Sequence, residues 1–262
     1  MADVSPSRGI AARPLRAVID EPAEPVLRRT VWAVAGILRR ITHQDWRNME
    51  KVPRTGGLVI VINHISNFDP VAYGHYLTWA GRWPRFLAKD AIFRVPLLGW
   101  VASHADQIRV RRHGPRANEA VAAAVQAIND GKAVSVYPEG TITADPDTWP
   151  MTGRTGAARI ALATGCPVIP IAQWGAQEVL PGKKLTWPRI LPRKTMRVIA
   201  GDPVPLDDLR GLPLRAPVLE EATDRILDAL TALLAELREE TPPPGRWDLK
   251  LGRRVPIKEW NR

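Results

Sequence analysis

Short apolar runs alternate along the chain with longer stretches in which apolar residues recur every three or four positions. The clearest run, residues 58–62, is wholly apolar and rich in β-branched side chains, which predicts a buried strand. Similar runs predict strands at 86–88, 133–137, 168–171 and 196–199, and helical spacing predicts helices at about 70–81, 116–130, 154–164 and 217–239. Because strands that alternate with helices form a sheet covered on both faces, we predict an α/β fold with a single mostly parallel sheet flanked by helices.

A further helix is predicted at residues 26–42, ahead of the first strand. Its apolar side chains share one face at about 100° per residue: Leu27, Val31, Val34, Leu38 and Ile41. The opposite face is basic, with Arg28, Arg29, Arg39 and Arg40. A basic amphipathic helix can lie in the interface of an anionic membrane. It can equally pack its apolar face on the protein core, and the pattern leaves both arrangements open.

These elements divide the chain into four segments. We expect a flexible N-terminal segment at 1–25, an amphipathic membrane-surface helix at 26–50, the main domain at 51–240 and a basic C-terminal tail at 241–262. The first residues contain arginines but no apolar block, so we do not expect a signal peptide. No stretch reaches the ~18 apolar residues that a membrane span needs. The tail carries Trp247 and Trp260, which suit either a strap across the domain or a surface contact.

Composition adds a preference for anionic partners. The 262 residues carry a net charge of +10, concentrated between residues 51 and 200 and not in a terminal tail of the kind that binds nucleic acid. The chain has 10 Trp against 3 Tyr and 3 Phe. Since Trp favours the boundary between apolar and wet media, a basic chain rich in Trp points to a membrane surface with anionic lipid, although core packing also explains the tryptophans. A single cysteine, Cys166, excludes an internal disulfide framework and a Cys-rich metal site.

The familiar catalytic patterns of several enzyme classes are missing. We find no G-x-S-x-G, no G-x-x-x-x-G-K-[ST], no G-x-G-x-x-G and no H-E-x-x-H, which argues against common serine hydrolases, P-loop enzymes, dinucleotide-binding enzymes and zinc proteases. We therefore expect no metal and no cofactor.

A histidine and an aspartate follow the first predicted strand of the main domain. His64 and Asp69 are five residues apart, with Pro70 at the start of the next helix. Side chains at this spacing do not share a helix face, but a turn can bring carboxylate and imidazole together. The carboxylate would then hold one ring nitrogen and leave the other free to take a proton. Taken alone, the pair is better explained by a helix cap and a packed histidine, because a lone His-x4-Asp arises easily by chance.

Polar residues near the other predicted strands complete the candidate site. Glu139, Gly140 and Thr141 follow the strand at 133–137, and Arg154 lies downstream. Upstream lie Lys89 and the arginine cluster Arg109, Arg111 and Arg112. Arginine is well suited to bind a phosphate with its planar fork of donors. The simpler explanations are a solvated basic face for the arginines, a cap or ion pair for Glu139, and a surface lysine for Lys89.

Four motifs in this order resemble the 1-acyl-sn-glycerol-3-phosphate acyltransferases and their relatives, from about residue 56 to residue 175. The first is Asn63-His64-x4-Asp69. The second falls on residues 106–112, where Asp106 replaces a usual glycine, Arg109 an apolar residue and Arg111 a usual aspartate. The third is Pro138 to Thr141, followed by Ile142 where an arginine is common. The fourth is residues 167–170 (PVIP).

The resemblance implies a role for each motif. His64 would be the general base and Asp69 would orient it. Arg112 stands at the position that binds the acceptor's phosphate, and Glu139, Gly140 and Thr141 would help to hold glycerol phosphate. Arg109, Arg111, Arg154 and Lys89 are further candidates for substrate binding, since the usual arginine is replaced by Ile142. The fourth motif would lie on the acyl side of the site. The implied fold is that of the glycerol-3-phosphate acyltransferases.

The function that follows is transfer of a fatty acyl group from acyl-CoA or an acyl carrier protein to the free hydroxyl of lysophosphatidic acid. The expected partners are the lysophospholipid acceptor, the acyl donor and an anionic membrane surface on the cytoplasmic side, with no nucleic acid. The altered second motif keeps open another acceptor: glycerol 3-phosphate, another lysophospholipid or a glycolipid. A non-catalytic module that binds anionic lipid or nucleic acid is the alternative of a different class; it predicts salt-sensitive binding that is indifferent to His64.

Overall fold

The computed structural model describes residues 11, 13–96, 98–110, 117–183 and 186–258. Its strands are β1 (Thr42–Arg47), β2 (Leu58–Ile62), β3 (Leu87–Lys89), β4 (Ile108–Val110), β5 (Ala133–Val136), β6 (Val168–Trp174), β7 (Lys194–Ala200), β8 (Arg246–Asp248) and β9 (Arg253–Val255). Its helices are α1 (Pro25–Ile41), α2 (Asp69–Trp79), α3 (Leu98–His104), α4 (Ala117–Asn129), α5 (Gly156–Thr164), α6 (Ala176–Val179) and α7 (Ala216–Arg238).

The central sheet has five strands in the order β1-β7-β6-β2-β5. Neighbouring strands are parallel except for β6 and β7, which are antiparallel. The predicted α/β fold with a mostly parallel sheet is therefore confirmed, and the central strands and longer helices begin and end within a few residues of the predicted bounds. Gly131 and Gly165 follow α4 and α5 with φ of 79° and 66°, a left-handed conformation that suits glycine at a helix end.

Helices cover both faces of the sheet, as the uniformly apolar sequence of β2 requires. Alternate side chains of this strand point to opposite faces. Leu58, Ile60 and Ile62 join a core that contains residues of α1 and α2. Val59 and Val61 join a second core that contains residues of α4, α5 and α7. Because both faces of β2 are buried, the strand is fully enclosed and its C-terminal end is held in place.

The segment 26–50 differs from the expected membrane-surface helix. The helix ends at Ile41, and Thr42–Arg47 is an edge strand that pairs in parallel with β7. Thr42, Gln44 and Trp46 are the buried positions of this strand, so polar residues occupy two of its three inward positions and the sequence shows no apolar run. Apolar periodicity could not identify a strand of this composition.

The apolar face of α1 packs on the protein itself. Leu27 and Leu38 are buried, and Leu27 belongs to the core that lines β2. The helix instead exposes a mixed surface on which Trp32 is 67% exposed and Ile37 56%, together with Arg28, Arg29 and Arg40. The core-packing arrangement left open by the sequence is thus the one observed for the apolar face.

The predicted strand at 86–88 lies outside the central sheet. β3 pairs in parallel with β4, and its neighbour Phe86 reaches the sheet through a single bridge to Ser135. β4 and α3 were not predicted, because each is too short for a period to show.

The described parts of both terminal segments contact the main domain, which differs from the flexible N-terminal segment that we expected. Val18 and Ile19 are buried, and the carboxylate of Glu21 lies 2.7 Å from the guanidinium of Arg85, so the described part of residues 1–25 is not a loose tail. The C-terminal tail forms the hairpin β8–β9, whose Arg254 pairs with buried Asp145 at 2.7 Å. The described part of the tail thus lies across the domain as a strap, while Trp260 lies outside the described residues. Within the described residues, no helix is long and apolar enough to cross a membrane.

Candidate active site

Two neighbouring parallel strands end side by side and carry the candidate site. Val61 of β2 pairs with Val136 of β5, so the residues that follow each strand meet at one edge of the sheet. This edge, beyond the carboxyl ends of parallel strands, is where α/β sheets generally place their sites. His64 follows β2 and Glu139 follows β5, and the carboxylate of Glu139 accepts a hydrogen bond from the backbone N–H of His64.

His64 and Asp69 form the hydrogen-bonded pair that their spacing suggested. His64 Nδ1 lies 2.8 Å from Asp69 Oδ2. The same carboxylate oxygen accepts the backbone N–H groups of Ile65 at 2.6 Å and Ser66 at 2.8 Å. The Asp69 carboxylate therefore holds the turn that precedes α2. It does not form a side-chain cap on that helix. The contact fixes one ring nitrogen of His64 and leaves Nε2 available.

The Asp69 carboxylate is completely buried, with 0% of the residue exposed. Burial raises the pKa of Asp69, while the hydrogen bonds from His64, Ser66 and Ile65 oppose that shift by favouring the charged form. The imidazole of His64 retains 15% of its surface exposed. Among the described residues Nε2 has no hydrogen-bond partner, which is the arrangement a base needs before substrate binds.

Two further contacts restrain His64. The ring of Tyr137 stacks on the imidazole with 4.1 Å between centroids and 20° between planes. The backbone is held by the His64 carbonyl, which accepts the N–H of Thr143 at 2.7 Å. The imidazole is thus bound at its Nδ1 edge and covered on one face.

Glu139 lies behind His64 and not at the open surface. Its Oε1 accepts the backbone N–H of His64 at 3.3 Å, and its Oε2 accepts the N–H of Met151 at 2.9 Å. Burial raises the pKa of Glu139 to about 8. With 4% of the residue exposed and both oxygens hydrogen-bonded, this geometry favours a role in positioning His64, which differs from the acceptor contact that the resemblance implied.

Gly140 forms a tight turn beneath the side chain of Arg154. Its φ is 68°, and a Cβ at this position would lie 3.0 Å from Cδ and Nε of Arg154. The backbone N–H of Arg154 donates to the Pro138 carbonyl at 2.8 Å, which fixes the arginine beside the turn, and half-buried Thr141 follows. Ile142, at the usual arginine position, is buried with 5% exposed. Arg154 is therefore the exposed cation that the structure places against this motif.

The remaining predicted cations lie on or near the small β3–β4 sheet. Arg109 is 3.7 Å from Asp90, and its guanidinium lies 4.3 Å from the centre of the Phe93 ring. Lys89 is exposed on the neighbouring strand, across from Val110. Arg111 and Arg112 lie outside the described residues, so their predicted roles stay predictions.

Asp106 occupies a position where the family pattern has glycine. Its φ is 56°, in the left-handed region that explains a usual glycine. Its carboxylate lies 2.6 Å from Arg85 and 2.9 Å from Lys132. Burial opposes ionisation, but the hydrogen bonds from the two cations prevail and lower the pKa of Asp106. The aspartate at this position is therefore stabilised by ion pairs with Arg85 and Lys132.

Sequence reasoning missed the residues that hold the His64–Asp69 turn in place. Asn63 and Gln173 exchange three hydrogen bonds of 2.8–3.1 Å between β2 and β6. Tyr137 was assigned only to a strand. The position of Tyr137 directly before the Pro-Glu-Gly-Thr motif was a signal in the sequence that could have indicated its stack on His64. The contact between Asn63 and Gln173 joins residues 110 positions apart, and the sequence contains no signal for it.

Comparisons with known proteins identify the family to which the chain belongs. A family profile described as Acyltransferase matches residues 43–174, half of the chain. The chain belongs to this acyltransferase family. The match includes His64, Asp69, Glu139 and Arg154, and it ends at the last residue of β6.

Within the described residues, no group of three or more His, Cys, Asp or Glu side chains is placed to hold a metal ion.

Individual relatives share part of the acyltransferase chain. It is 30% identical over 139 residues to a chloroplastic 1-acyl-sn-glycerol-3-phosphate acyltransferase of Brassica napus, covering 52% of this chain and 39% of that protein. It is 29% identical over 130 residues to the 1-acyl-sn-glycerol-3-phosphate acyltransferase of Borreliella burgdorferi, covering 49% and 50%. An N-acylphosphatidylethanolamine synthase of Arabidopsis thaliana is 28% identical over 162 residues, covering 57% and 56%. The matches thus span about half or less of these relatives.

The fold has a counterpart among solved structures. The 1-acyl-sn-glycerophosphate acyltransferase PlsC of Thermotoga maritima superposes with a TM-score of 0.61 over 92% of both chains, at 18% identity. This likeness shows a shared fold across nearly the whole chain, including regions beyond the family match.

Proposed function

We propose that this acyltransferase transfers a fatty acyl group from acyl-CoA or acyl carrier protein to the free hydroxyl of lysophosphatidic acid, giving phosphatidic acid. The single observation that carries the proposal is the His64–Asp69 pair, 2.8 Å apart at the carboxyl end of β2 with Nε2 of His64 left free by the described residues. The printed names of two relatives, which are 1-acyl-sn-glycerol-3-phosphate acyltransferases, support the choice of acceptor.

The pair suits a reaction in which the acyl donor is already activated. An alcohol is a poor nucleophile at neutral pH, and a positioned base contributes about 10²–10⁴-fold. Nε2 of His64 takes the hydroxyl proton as the oxygen attacks the thioester carbonyl. The tetrahedral intermediate then collapses with loss of the thiolate, which receives that proton from the imidazolium. Asp69 holds Nδ1 protonated and stabilises the imidazolium, so the reaction requires no covalent enzyme intermediate, metal or cofactor.

Arg154 is the described cation best placed for the acceptor's phosphate. Its side chain lies over Gly140, in the turn that also carries Glu139, so a phosphate bound there would be close to the base. Arg109 already contacts Asp90 and Phe93, which would compete with a phosphate for part of its guanidinium. We retain Lys89, Thr141, Arg111 and Arg112 as further acceptor contacts on the strength of the family pattern.

We also propose that the enzyme works as a peripheral protein on the cytoplasmic face of a membrane and binds no nucleic acid. Its acceptor and product are lipids, and its net charge of +10 favours anionic lipid headgroups. The exposed Trp32, Ile37 and arginines of α1 are compatible with this location.

The deciding experiment is acyl transfer by purified protein in detergent micelles. Palmitoyl-CoA and oleoyl-CoA are offered with lysophosphatidic acid, glycerol 3-phosphate or lysophosphatidylinositol, and the assay is repeated with acyl carrier protein as donor. We expect transfer to lysophosphatidic acid, lost in His64→Ala and reduced roughly 10²–10⁴-fold in kcat in Asp69→Asn, which preserves shape but not charge. His104→Ala is the matched control, because His104 is an exposed histidine whose described contacts are with Trp100, through its carbonyl and its ring.

Other outcomes assign the protein differently. Transfer only to another acceptor would retain the mechanism and change the substrate. Activity that survives His64→Ala would refute His64 as the base. Absence of transfer with every donor and acceptor, together with salt-sensitive lipid or nucleic-acid binding, would favour the non-catalytic module.

The similarity to the N-acylphosphatidylethanolamine synthase favours a second candidate acceptor. That match covers 57% of this chain, more than either match to a lysophosphatidate enzyme described above. The same base could deprotonate an ethanolamine amine as it attacks the thioester. Phosphatidylethanolamine as acceptor, with the product identified by mass spectrometry as an amide, would establish this alternative.

A further inference from the structure

The loop between α6 and β7 exposes three large apolar side chains. Trp187 is 92% exposed, Leu191 79% and Ile190 38%. In the described part of the chain, no other large hydrophobic side chain is as exposed as Trp187. Several exposed apolar side chains in one short loop indicate a site of interaction more than a lone exposed residue does.

Basic residues accompany these apolar side chains. Lys183 and Arg189 are exposed in the same loop. The sequence from residue 181 to residue 194 contains lysines and arginines but no aspartate or glutamate. We use the name Trp187 patch for one set of side chains: Lys183, Trp187, Arg189, Ile190 and Leu191.

One end of the patch is attached to the catalytic turn. Ser66 Oγ donates to the Leu180 carbonyl at 2.6 Å, and Asn67 Nδ2 donates to the Lys183 carbonyl at 3.2 Å. Gly182 also forms a β-bridge with Ser66. Ser66 and Asn67 lie between His64 and Asp69, so the patch begins beside the base.

The other end of the patch is attached to α1. The guanidinium of Arg193 donates to the carbonyls of Arg39 at 2.7 Å and Thr42 at 2.6 Å, where the helix ends and β1 begins. The N–H of Arg189 donates to the Val179 carbonyl at 2.9 Å. Because the loop is hydrogen-bonded at both ends, it presents its apolar side chains from a defined position.

We propose that the Trp187 patch docks on the surface of an anionic phospholipid bilayer and places the catalytic turn at that surface. The inference rests on the proposed function in one respect, namely that the lysophospholipid acceptor resides in the bilayer. Tryptophan and leucine enter the headgroup region, and lysine and arginine remain level with anionic headgroups. The charged side chains between residues 181 and 194 are all cationic, which complements anionic lipid headgroups.

The test is co-sedimentation of the full chain with vesicles of phosphatidylcholine alone or of phosphatidylcholine with phosphatidylglycerol. One variant, Trp187→Ser with Leu191→Ser, removes the apolar side chains. A second, Lys183→Glu with Arg189→Glu, reverses the charge and retains the backbone hydrogen bonds at both residues. The control is Leu249→Ser with Leu251→Ser, which removes side chains 51% and 58% exposed in the C-terminal hairpin. Thermal melting checks that each variant is folded.

We expect both patch variants to bind the anionic vesicles at least tenfold more weakly than the parent, and the control to bind equally well. Binding by the patch variants that matches the parent would overturn the proposal, as would an equal loss in the hairpin control. A change from dimer to monomer on gel filtration would also overturn it, since the patch would then join two copies of the chain.

Catalysis separates this proposal from the proposed function. With a short-chain lysophosphatidic acid kept monomeric, the patch variants should retain the parent's rate, while their rate on vesicle-bound acceptor falls about tenfold. Equal loss with both acceptors would indicate that the loop positions the His64 turn and would refute docking. If no acceptor is acylated but vesicle binding depends on the patch, the docking surface stands and the proposed reaction fails.

Discussion

The ring of Tyr137 covers one face of the His64 imidazole, with 4.1 Å between centroids and 20° between planes. Phe86 continues the arrangement, with its ring nearly parallel to Tyr137 at 7° and 6.1 Å. An aromatic face stabilises a cation placed over it, so the stack would favour the imidazolium that His64, as the proposed base, forms on accepting a proton. Tyr137 therefore connects the end of β5 to the proposed base that follows β2.

Two substitutions of Tyr137 should distinguish the contribution of its ring from that of its hydroxyl. Tyr137→Phe keeps the stacked ring and should retain kcat within about twofold. Tyr137→Leu removes the cation–π contact, worth ~1 kcal/mol, and should lower kcat/KM about fivefold. Equal kcat/KM values for the Leu and Phe variants would rule out this role.

The buried carboxyl of Glu139 should make stability depend on pH. Burial raises its pKa to about 8 from a usual 4.5, so the folded protein binds a proton that the unfolded chain has released. The resulting stabilisation is fully present below about pH 4.5 and is lost as the pH rises through 8. Melting temperatures from pH 5 to 9 should fall less steeply for Glu139→Gln than for the parent.

Glu178→Gln provides the comparison for that series, because Glu178 is an exposed glutamate in α6. Its melting curve should keep the parent's slope against pH. Parallel slopes for the parent and Glu139→Gln would contradict the assignment.

Arg154 should contribute to acceptor binding more than to the chemical step. Its exposed side chain packs on the Gly140 turn, and a charge-assisted contact with phosphate is worth ~1.5–3 kcal/mol. Arg154→Ala should therefore raise KM for lysophosphatidic acid at least tenfold, with kcat changed less than threefold. The control is Arg159→Ala, which removes an arginine of α5 and should leave KM unchanged. An unaltered KM in Arg154→Ala would move phosphate binding to the arginines of the second motif.

The C-terminal hairpin should stabilise the loop that carries Glu139 and Met151. Arg254 pairs with Asp145, which is 4% exposed, and with Asp147 at 2.8 Å. Arg254→Ala leaves the buried Asp145 carboxylate with fewer partners and should lower the free energy of unfolding by ~2–4 kcal/mol in urea titrations. Arg253→Ala removes an exposed neighbouring arginine and should cost less than ~0.5 kcal/mol. An equal decrease in the free energy of unfolding of the two variants would show that the ion pair between Arg254 and Asp145 does not stabilise the protein.

The alternation of apolar runs and amphipathic stretches predicted four of the five strands in the central sheet of this acyltransferase. A strand buried on both faces, such as β2, must be apolar throughout, and the helices that cover it must be apolar on one side; both patterns are local and can be seen in one sequence. The order of four motifs likewise identified the family and the His64–Asp69 pair, because both residues belong to one turn.

Features that depend on distant partners were not predictable in the same way. The polar strand β1 is stabilised by its pairing with β7, some 150 positions away, and not by an apolar run. The tether from Glu139 to His64 spans 75 positions, and the strap from Arg254 to Asp145 spans 109. The apolar face of α1 could have faced lipid or protein, and only its burial against the core resolved that choice. Sequence patterns record what each residue needs from its surroundings, whereas packing of the whole chain determines which distant residue supplies it.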